Sequence, residues 1–460
     1  MKRSPPKNRR APGVSGRAGR GHSSDRSTLP LRGAAQPGRG NQFDLVIVGA
    51  GPAGVATALH LLRLDPTWAD RLLILEAATH PREKLCGGGV TRLGEDALAA
   101  LGLELGVPSA PVYELRSWAD HFDVSLRGSP VFRVVERARF DAWLLREAEK
   151  RGATVRQGER VVAARRYAEA IEVSTERETY RARVVVAADG AVSSVRRLLH
   201  ASTRRAEERT GRVERTAPAE KPATEQNTAP GRSVLMETIY YPDPPETEAG
   251  TAGLGGFHAL APGEARFDFR RMAHGLQGYV WHFPAIRGDR RGISIGLFDS
   301  RVAADRPAQP LRRTLRRELP ERPAAPVRGF PLRRYEPRRR NFSAPRLLYV
   351  GDAAGSDPML GEGISFALGY GEVAAGAIVG AFETGDFTFH HYYRRVHRHP
   401  VTSHLQWRRR AAQLFYGLRR PATIRALWAV IPIITRLLIL LVPRYIPGKR
   451  PRLVVRRPRR

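Results

Sequence analysis

The sequence predicts an α/β fold: a doubly wound dinucleotide-binding domain, a second lobe built on an antiparallel sheet, and a C-terminal helical extension. Three observations carry this. Residues 43–76 read as strand, glycine loop, helix, strand and acid; two more apolar strands end in Asp189-Gly190 and Gly351-Asp352; and residues 233–300 alternate apolar and polar positions between glycine breaks. At 460 residues the chain is long for one core, and 42% hydrophobic content suffices to build more than one.

Residues 1–42 are rich in Arg, Gly, Pro and Ser and contain no apolar run, so a disordered basic tail is expected and a secretory signal is not. Residues 44–48 then form a buried strand leading into Gly49-Ala50-Gly51-Pro52-Ala53-Gly54, with a helix through Leu64. In this G-x-G-x-x-G, Gly49 permits the tight turn, Gly51 lets backbone approach a pyrophosphate, and Gly54 allows close helix–strand packing. The helix opening at Pro52-Ala53 turns its N–H groups and dipole to the phosphates. A second strand over 71–75 ends at Glu76, placed to accept hydrogen bonds from an adenosine ribose.

Cys86 is the only cysteine and lies in Lys84-Leu85-Cys86-Gly87-Gly88-Gly89. A glycine triplet suits neither helix nor strand; it implies close backbone approach or φ > 0 beside whatever the preceding unit binds. One cysteine excludes an internal disulfide framework and fits a reducing compartment. Residues 137–148 read as a helix with Phe140, Leu144, Leu145 and Ala148 on its core-facing stripe. Strands follow at 161–166, 170–174 and 179–188, the last nearly all apolar, as buried parallel strands are. Residues 201–232 are polar and breaker-rich and are expected to be a disordered insertion. A short strand at 346–350 precedes the 351–363 turn and a Gly/Ala-rich helix from Ile364 to about 379.

Taken together, the motif at 49–54, Val184-Val185-Val186-Ala187-Ala188-Asp189-Gly190, and Gly351-Asp352 with Pro358 and Gly361-Glu362-Gly363-Ile364 resemble the flavin-dependent hydroxylase superfamily. The resemblance implies a Rossmann-like FAD-binding domain. Asp352 would hold the ribityl chain, the helix at Ile364 would aim its N-terminus at the flavin O2 edge, and Arg137 would contact the FAD. Within that superfamily, Lys84-Leu85-Cys86-Gly87-Gly88-Gly89 and Tyr279-Val280-Trp281-His282-Phe283-Pro284 resemble the geranylgeranyl reductase family, over residues 43 to about 400. Tyr370-Gly371 replaces a commoner Ser-Gly, and the insertion and basic tails are extra.

The resemblance implies reduction of isolated C=C bonds in prenyl chains. Cys86 would lie beside the isoalloxazine with Gly87 and Gly88 approaching the cofactor. A free thiol is mostly protonated at neutral pH, so Cys86 either relays a proton and positions the alkene or serves as a small apolar wall. Tyr279, Trp281 and Phe283 share one strand face and either line a prenyl tunnel or pack as core aromatics. No second G-x-G-x-x-G has strand context, so NAD(P)H would bind transiently, or a ferredoxin-like protein would deliver electrons.

The net charge of +32 sits mostly at the ends: ten Lys/Arg against Asp25 in residues 1–42, nine Arg and no acid in 391–425, and eight Lys/Arg and no acid in 444–460. Residues 426–443 are the most apolar stretch, interrupted by Pro432 and Arg436 and short of the ~20 residues of a clean span. A peripheral membrane anchor is the first expectation, a helix packed on its own lobe the second. His390, His391, His397, His399 and His404 match no single helical face and lack an acidic or cysteine cluster, so no metal site is expected.

The expected domains are 43–200 with 330–385 for FAD, 233–329 for the substrate lobe, 386–443 for the helical extension, and basic tails at 1–42 and 444–460. The expected activity is FAD-dependent saturation of prenyl C=C bonds on a lipid, either a geranylgeranyl or polyprenyl lipid or an isoprenoid quinone side chain. The alternative is an FAD-dependent monooxygenase or halogenase, and a third class is a non-catalytic, membrane- or RNA-associated flavoprotein. The expected partners are the prenyl lipid and an anionic membrane surface, not nucleic acid, on the cytoplasmic face of the membrane.

Overall fold

The apolar strands at Gln42–Val48, Leu72–Glu76 and Thr179–Ala187 pair in parallel, as their composition requires. The computed structural model describes residues 40–119, 122–209, 232–240, 260–303, 305–307, 309–319, 326–338, 341–441 and 452–456. The basic tail expected at 1–39 lies outside these, as do 210–231 of the expected insertion and most of 442–460.

The first sheet runs Ser343–Ala344, Leu347–Tyr349, Thr179–Ala187, Gln42–Val48, Leu72–Glu76, Thr154–Gln157. The hairpin strands Val161–Arg166 and Ile171–Thr175 attach to it through Thr179–Ala187. The helix Arg137–Lys150 buries Phe140, Leu144, Leu145 and Ala148 as one stripe. Burying each of the three larger side chains contributes roughly 1.5–3 kcal/mol. Pro52–Leu64 packs against the longest core helix, Ile364–Thr384, which extends one turn beyond its expected end. Their approach is set by Gly371, where an added Cβ would lie 2.5 Å from the Cβ of Ala56 and 2.7 Å from the amide nitrogen of Thr57. Among the described residues, Ile364–Thr384 is the one helix long and apolar enough to cross a membrane, and it is mostly buried in this core.

The second sheet runs Arg328–Arg333, Arg232–Tyr240, Arg290–Asp299, Gly278–Arg287, Glu264–Asp268, Ser109–Ala119, Phe122–Val135, Arg452–Arg456, with Gly89–Thr91 paired to Phe122–Val135. Domain boundaries therefore differ from the expected ones. Ser109–Ala119 and Phe122–Val135 fall in the stretch assigned to the first domain, but their hydrogen bonds go to the lobe. Arg328–Arg333 also belongs to the lobe, past the expected boundary at 330. The helix Ser194–Arg209 continues nine residues into the segment expected to be disordered. Arg452–Arg456, inside the expected basic tail, pairs with the sheet edge.

Three helices follow the core: Tyr392–Arg398, His404–Gly417 and Pro421–Leu441. The last covers most of the stretch expected to anchor in a membrane. Its first half packs on the lobe, with Trp428 buried 5.0 Å from the Phe269 ring and Ile424 beside it in the same cluster. The histidines expected to form no metal site have protein partners: His397 pairs with Tyr335 Oη and His399 with Glu372.

Gly371→Ala should cost about 1–3 kcal/mol through overpacking between the two core helices. Gly417→Ala, where nothing lies within 4 Å of the added carbon, is the control. Thermal midpoints measured side by side should fall for the first and hold for the second.

Candidate active site

One cleft opens where the C-terminal ends of the parallel strands meet. Its walls carry Gly49, Gly51, Pro52 and Ala53 from the first loop, Glu76 from the second strand, Asp189-Gly190, and Gly351-Asp352. Gly49 takes φ +108°, and an added Cβ would lie 2.4 Å from the Ala188 carbonyl oxygen, so no side chain fits there. Gly54 is equally constrained, 2.1 Å from the Gly49 carbonyl oxygen, but it packs beneath the loop and does not line the cleft. Gly51 and Gly190 face open space: an added carbon meets only Arg82 Nη2, 3.8 Å away, at the first and nothing within 4 Å at the second.

Glu76 is 6% exposed and already occupied on both oxygens. Its Oε2 accepts from the Ala50 N–H at 2.7 Å and its Oε1 from the Ala78 N–H at 3.0 Å, so it braces the glycine loop as well as facing the cleft. Asp189 Oδ2 accepts from Ser194 Oγ and the Val195 N–H, tying the 188–190 turn to the next helix. Asp189 Oδ1 is buried without a hydrogen-bond partner. An orphaned acceptor beside open glycine backbone, with a helix N-terminus at each end of the cleft, suits the hydroxyls and phosphates of a dinucleotide. The residues present fit FAD.

At the other end lie Lys84, Leu85, Cys86 and Arg137. Asp141, fully buried, holds Arg137 through two hydrogen bonds of 2.9 Å one helical turn away. Burial opposes the Arg137 charge, but Asp141 and the Cys86 sulfur outweigh it and hold the guanidinium above its ordinary pKa. Lys84 Nζ sits 3.8 Å from the Phe330 ring centroid, and burial lowers its pKa against the pull of Asp352. Cys86 Sγ accepts from the Gly88 N–H at 3.4 Å, and the Cys86 N–H donates to Glu237 Oε2 at 2.9 Å.

The glycine triplet lies against the aromatic strand. A Cβ on Gly87 would come within 3.1 Å of the Phe283 ring and 3.4 Å of Trp281 Nε1, and Gly88 takes φ +72°. Tyr279, Trp281 and Phe283 do share one face, with successive ring centroids 6.4 and 6.1 Å apart. All three are packed in the lobe core, and none lines the cleft. The tunnel-lining expectation is corrected to this extent: the cleft's apolar wall is Leu235, Phe330 and Leu332 with Leu85 and Ile364. Gly87, Gly88 and Pro358 likewise support the wall without lining it. Residues that sequence reasoning missed include Arg82, which ion-pairs with Glu76 and Asp141, and the lobe strands' Leu235, Phe330 and Leu332. No motif marks them: Arg82 lies on the loop after the second strand, and the other three reach the cleft through strand pairing.

The 357–363 turn, whose Gly361 and Gly363 face the cleft with Ile364, is held from the C-terminal extension. Arg408 Nη1 contacts Asp357 Oδ2 and Glu362 Oε2, both at 2.7 Å, and these carboxylates raise its pKa against burial. Asp357 in turn accepts from the Met359 and Leu360 N–H groups. Tyr279 Oη donates to the Leu360 carbonyl, and Tyr416 Oη donates to that of Met359. The helix dipole at Ile364 is thereby fixed in direction.

Residues 42–369 match the family model for the FAD binding domain. A digeranylgeranylglycerophospholipid reductase of Methanopyrus kandleri is 27% identical over 75% of this chain and 82% of its own. A menaquinone reductase of Mycobacterium tuberculosis is 44% identical over 64 residues, 13% of this chain and 14% of its own. Among solved structures, a geranylgeranyl bacteriochlorophyll reductase-like protein of Thermoplasma acidophilum superposes with TM-score 0.64 at 18% identity, covering 88% of this chain and 98% of that one. The halogenase PltM superposes with TM-score 0.59 at 15% identity, over 84% and 78%. The chain belongs to the FAD-binding domain family and is an FAD-dependent oxidoreductase related to the geranylgeranyl reductases.

Proposed function

We propose that this protein reduces C=C bonds in the prenyl chain of a lipid. The observation that carries the proposal is the seating of Cys86 in the cleft beside its apolar wall, on a glycine loop packed against Trp281 and Phe283. Bound and reduced, FAD supplies a hydride to one alkene carbon, and a proton completes the other. Gly49, Gly51, Asp189 and Asp352 would hold the cofactor. Leu235, Phe330 and Leu332 exclude water and position an apolar chain, where near-attack geometry is worth more than any single side chain. Cys86, with Arg137 against its sulfur, would hold the proton. NAD(P)H or a ferredoxin-like protein would supply the electrons. Halogenase-like superposition reflects a shared fold, and a monooxygenase or halogenase is the outcome that would replace this reading.

The lipid would be met at an anionic membrane surface. Trp407, Leu414 and Val430 are exposed apolar side chains on the two C-terminal helices, interleaved with exposed Arg410, Arg420 and Arg425. Each such arginine contributes about 1 kcal/mol near an anionic leaflet.

Three measurements test this. The pre-reduced protein, mixed anaerobically with prenyl lipids, should add two hydrogens per bond as read by mass spectrometry. Flavin reoxidation without that gain rejects the reading, and oxygen uptake stimulated by an aromatic substrate supports a monooxygenase. Cys86→Ala should retain FAD and lose roughly 10²-fold or more in kcat; an unchanged kcat reduces the sulfur to a wall. The triple variant R410E/L414E/R425E should lose binding to phosphatidylglycerol vesicles, and undiminished binding places the membrane surface elsewhere.

A further inference from the structure

Glu237 is a carboxyl that neither the cofactor nor the substrate reading uses. It lies in the middle of the lobe sheet on Arg232–Tyr240 and is 2% exposed. Its neighbours across the sheet are Gly296 and Arg328. A carboxyl in such a place is costly unless every oxygen is engaged. Both are: Oε2 accepts from the Cys86 N–H at 2.9 Å, and Oε1 accepts from Ser294 Oγ at 2.5 Å. Ser294 Oγ in turn accepts from Trp281 Nε1 at 3.0 Å. One side chain thus joins the loop, separated from it by 151 positions in sequence, to two strands of the lobe.

We propose that Glu237 is a positioning residue that fixes the Cys86–Gly88 loop against the lobe sheet and so sets where the Cys86 sulfur stands in the cleft. The proposal rests on Cys86 facing the reacting end of that cleft, as in the function proposed above. Backbone ties the far end of the loop, where the Gly88 carbonyl accepts from the Val135 N–H at 2.9 Å; Glu237 ties the Cys86 end, and Gly87 between them has no side chain.

The lock is sensitive to pH. Burial pushes Glu237 up to about 7, while Ser294, the Cys86 amide and the Arg137 charge hold it down. The groups around it are Arg137 from its helix, the Cys86 amide from the loop, Ser294 from the next strand, and Arg328 from the adjacent strand, which is paired with Glu83. Lys84 is directed over Phe330. Ionised Glu237 makes charge-assisted hydrogen bonds, the stronger kind, so the loop is held more firmly above the transition than below it. For stability the sign is opposite. The folded state keeps a proton that the unfolded state has released between about 4.5 and about 7, so stability falls with rising pH across that window.

The test is hydrogen exchange of the Leu85–Gly88 amides in the FAD-loaded protein, corrected for intrinsic rate. In the wild type, protection should rise about fivefold between pH 6 and 8. Glu237→Gln keeps an acceptor for the Cys86 N–H and a donor for Ser294, so its protection should be flat across that range and equal to the wild-type low-pH value. Glu237→Ala should lose about tenfold or more. A pH-flat wild type, a step that persists in Glu237→Gln, or full protection in Glu237→Ala overturns the proposal. If the alanine variant does not fold, the glutamine variant decides alone. Loss of the pH step in kcat in Glu237→Gln, with KM unchanged, is the corresponding activity readout. A wild type that reduces no prenyl bond but shows this exchange pattern rejects the proposed function and leaves the lock standing.

Discussion

Everything in this molecule depends on how closely backbone passes backbone at the ends of the parallel strands. The Gly49 turn, the Ala188 carbonyl and the first turn of the Pro52–Leu64 helix occupy one small volume, and a methyl group at Gly49 or Gly54 would overlap main-chain atoms. That crossing leaves Gly51 and Gly190 facing empty space. It brings Asp189 beside the glycine loop and lets Glu76 reach back to the Ala50 amide. Side chains could not build this cradle, because the surfaces presented to a ligand are mostly N–H groups and missing carbons.

The first domain was legible in the sequence because its constraints are local. The 49–54 loop, the 140–148 stripe and the apolar run at 179–187 each advertise their geometry within a dozen residues. The residues that it brings to the cleft were legible for the same reason. The lobe was harder, since a nine-stranded mixed sheet collects strands from positions 89 to 456, and no local pattern tells residues 109–135 which sheet to join. Leu235, Phe330 and Leu332 reach the cleft only through that pairing. Tyr279, Trp281 and Phe283 illustrate the converse: their shared face follows from strand period, but strand period does not say whether the face is a tunnel or a core.

Buried polar groups around the cleft give the site its definition. Arg408 sets one positive charge between the carboxylates of Asp357 and Glu362, so removing it would leave two carboxylates together without their cation, costing far more than the triad contributes. The Trp281–Ser294–Glu237–Cys86 chain has the same character. Apolar packing at these positions would be tolerant of small shifts; directed hydrogen bonds are not. The site is therefore specified more by orientation than by tightness.

The pairing of Arg452–Arg456 with Phe122–Val135 has a topological consequence. Helix Pro421–Leu441 is about 30 Å long at 1.5 Å per residue, and its first half is packed on the lobe. The chain that follows it is stitched back to the same lobe within ten residues. Were the helix to cross a bilayer, residues 442–451 would have to return through hydrocarbon as extended chain with unpaired amides, which lipid does not permit. The helix is thus a strap buckled at both ends. Both ties are to the same sheet: Trp428 packs on Phe269 at one end, and Arg452–Arg456 pairs with Phe122–Val135 at the other.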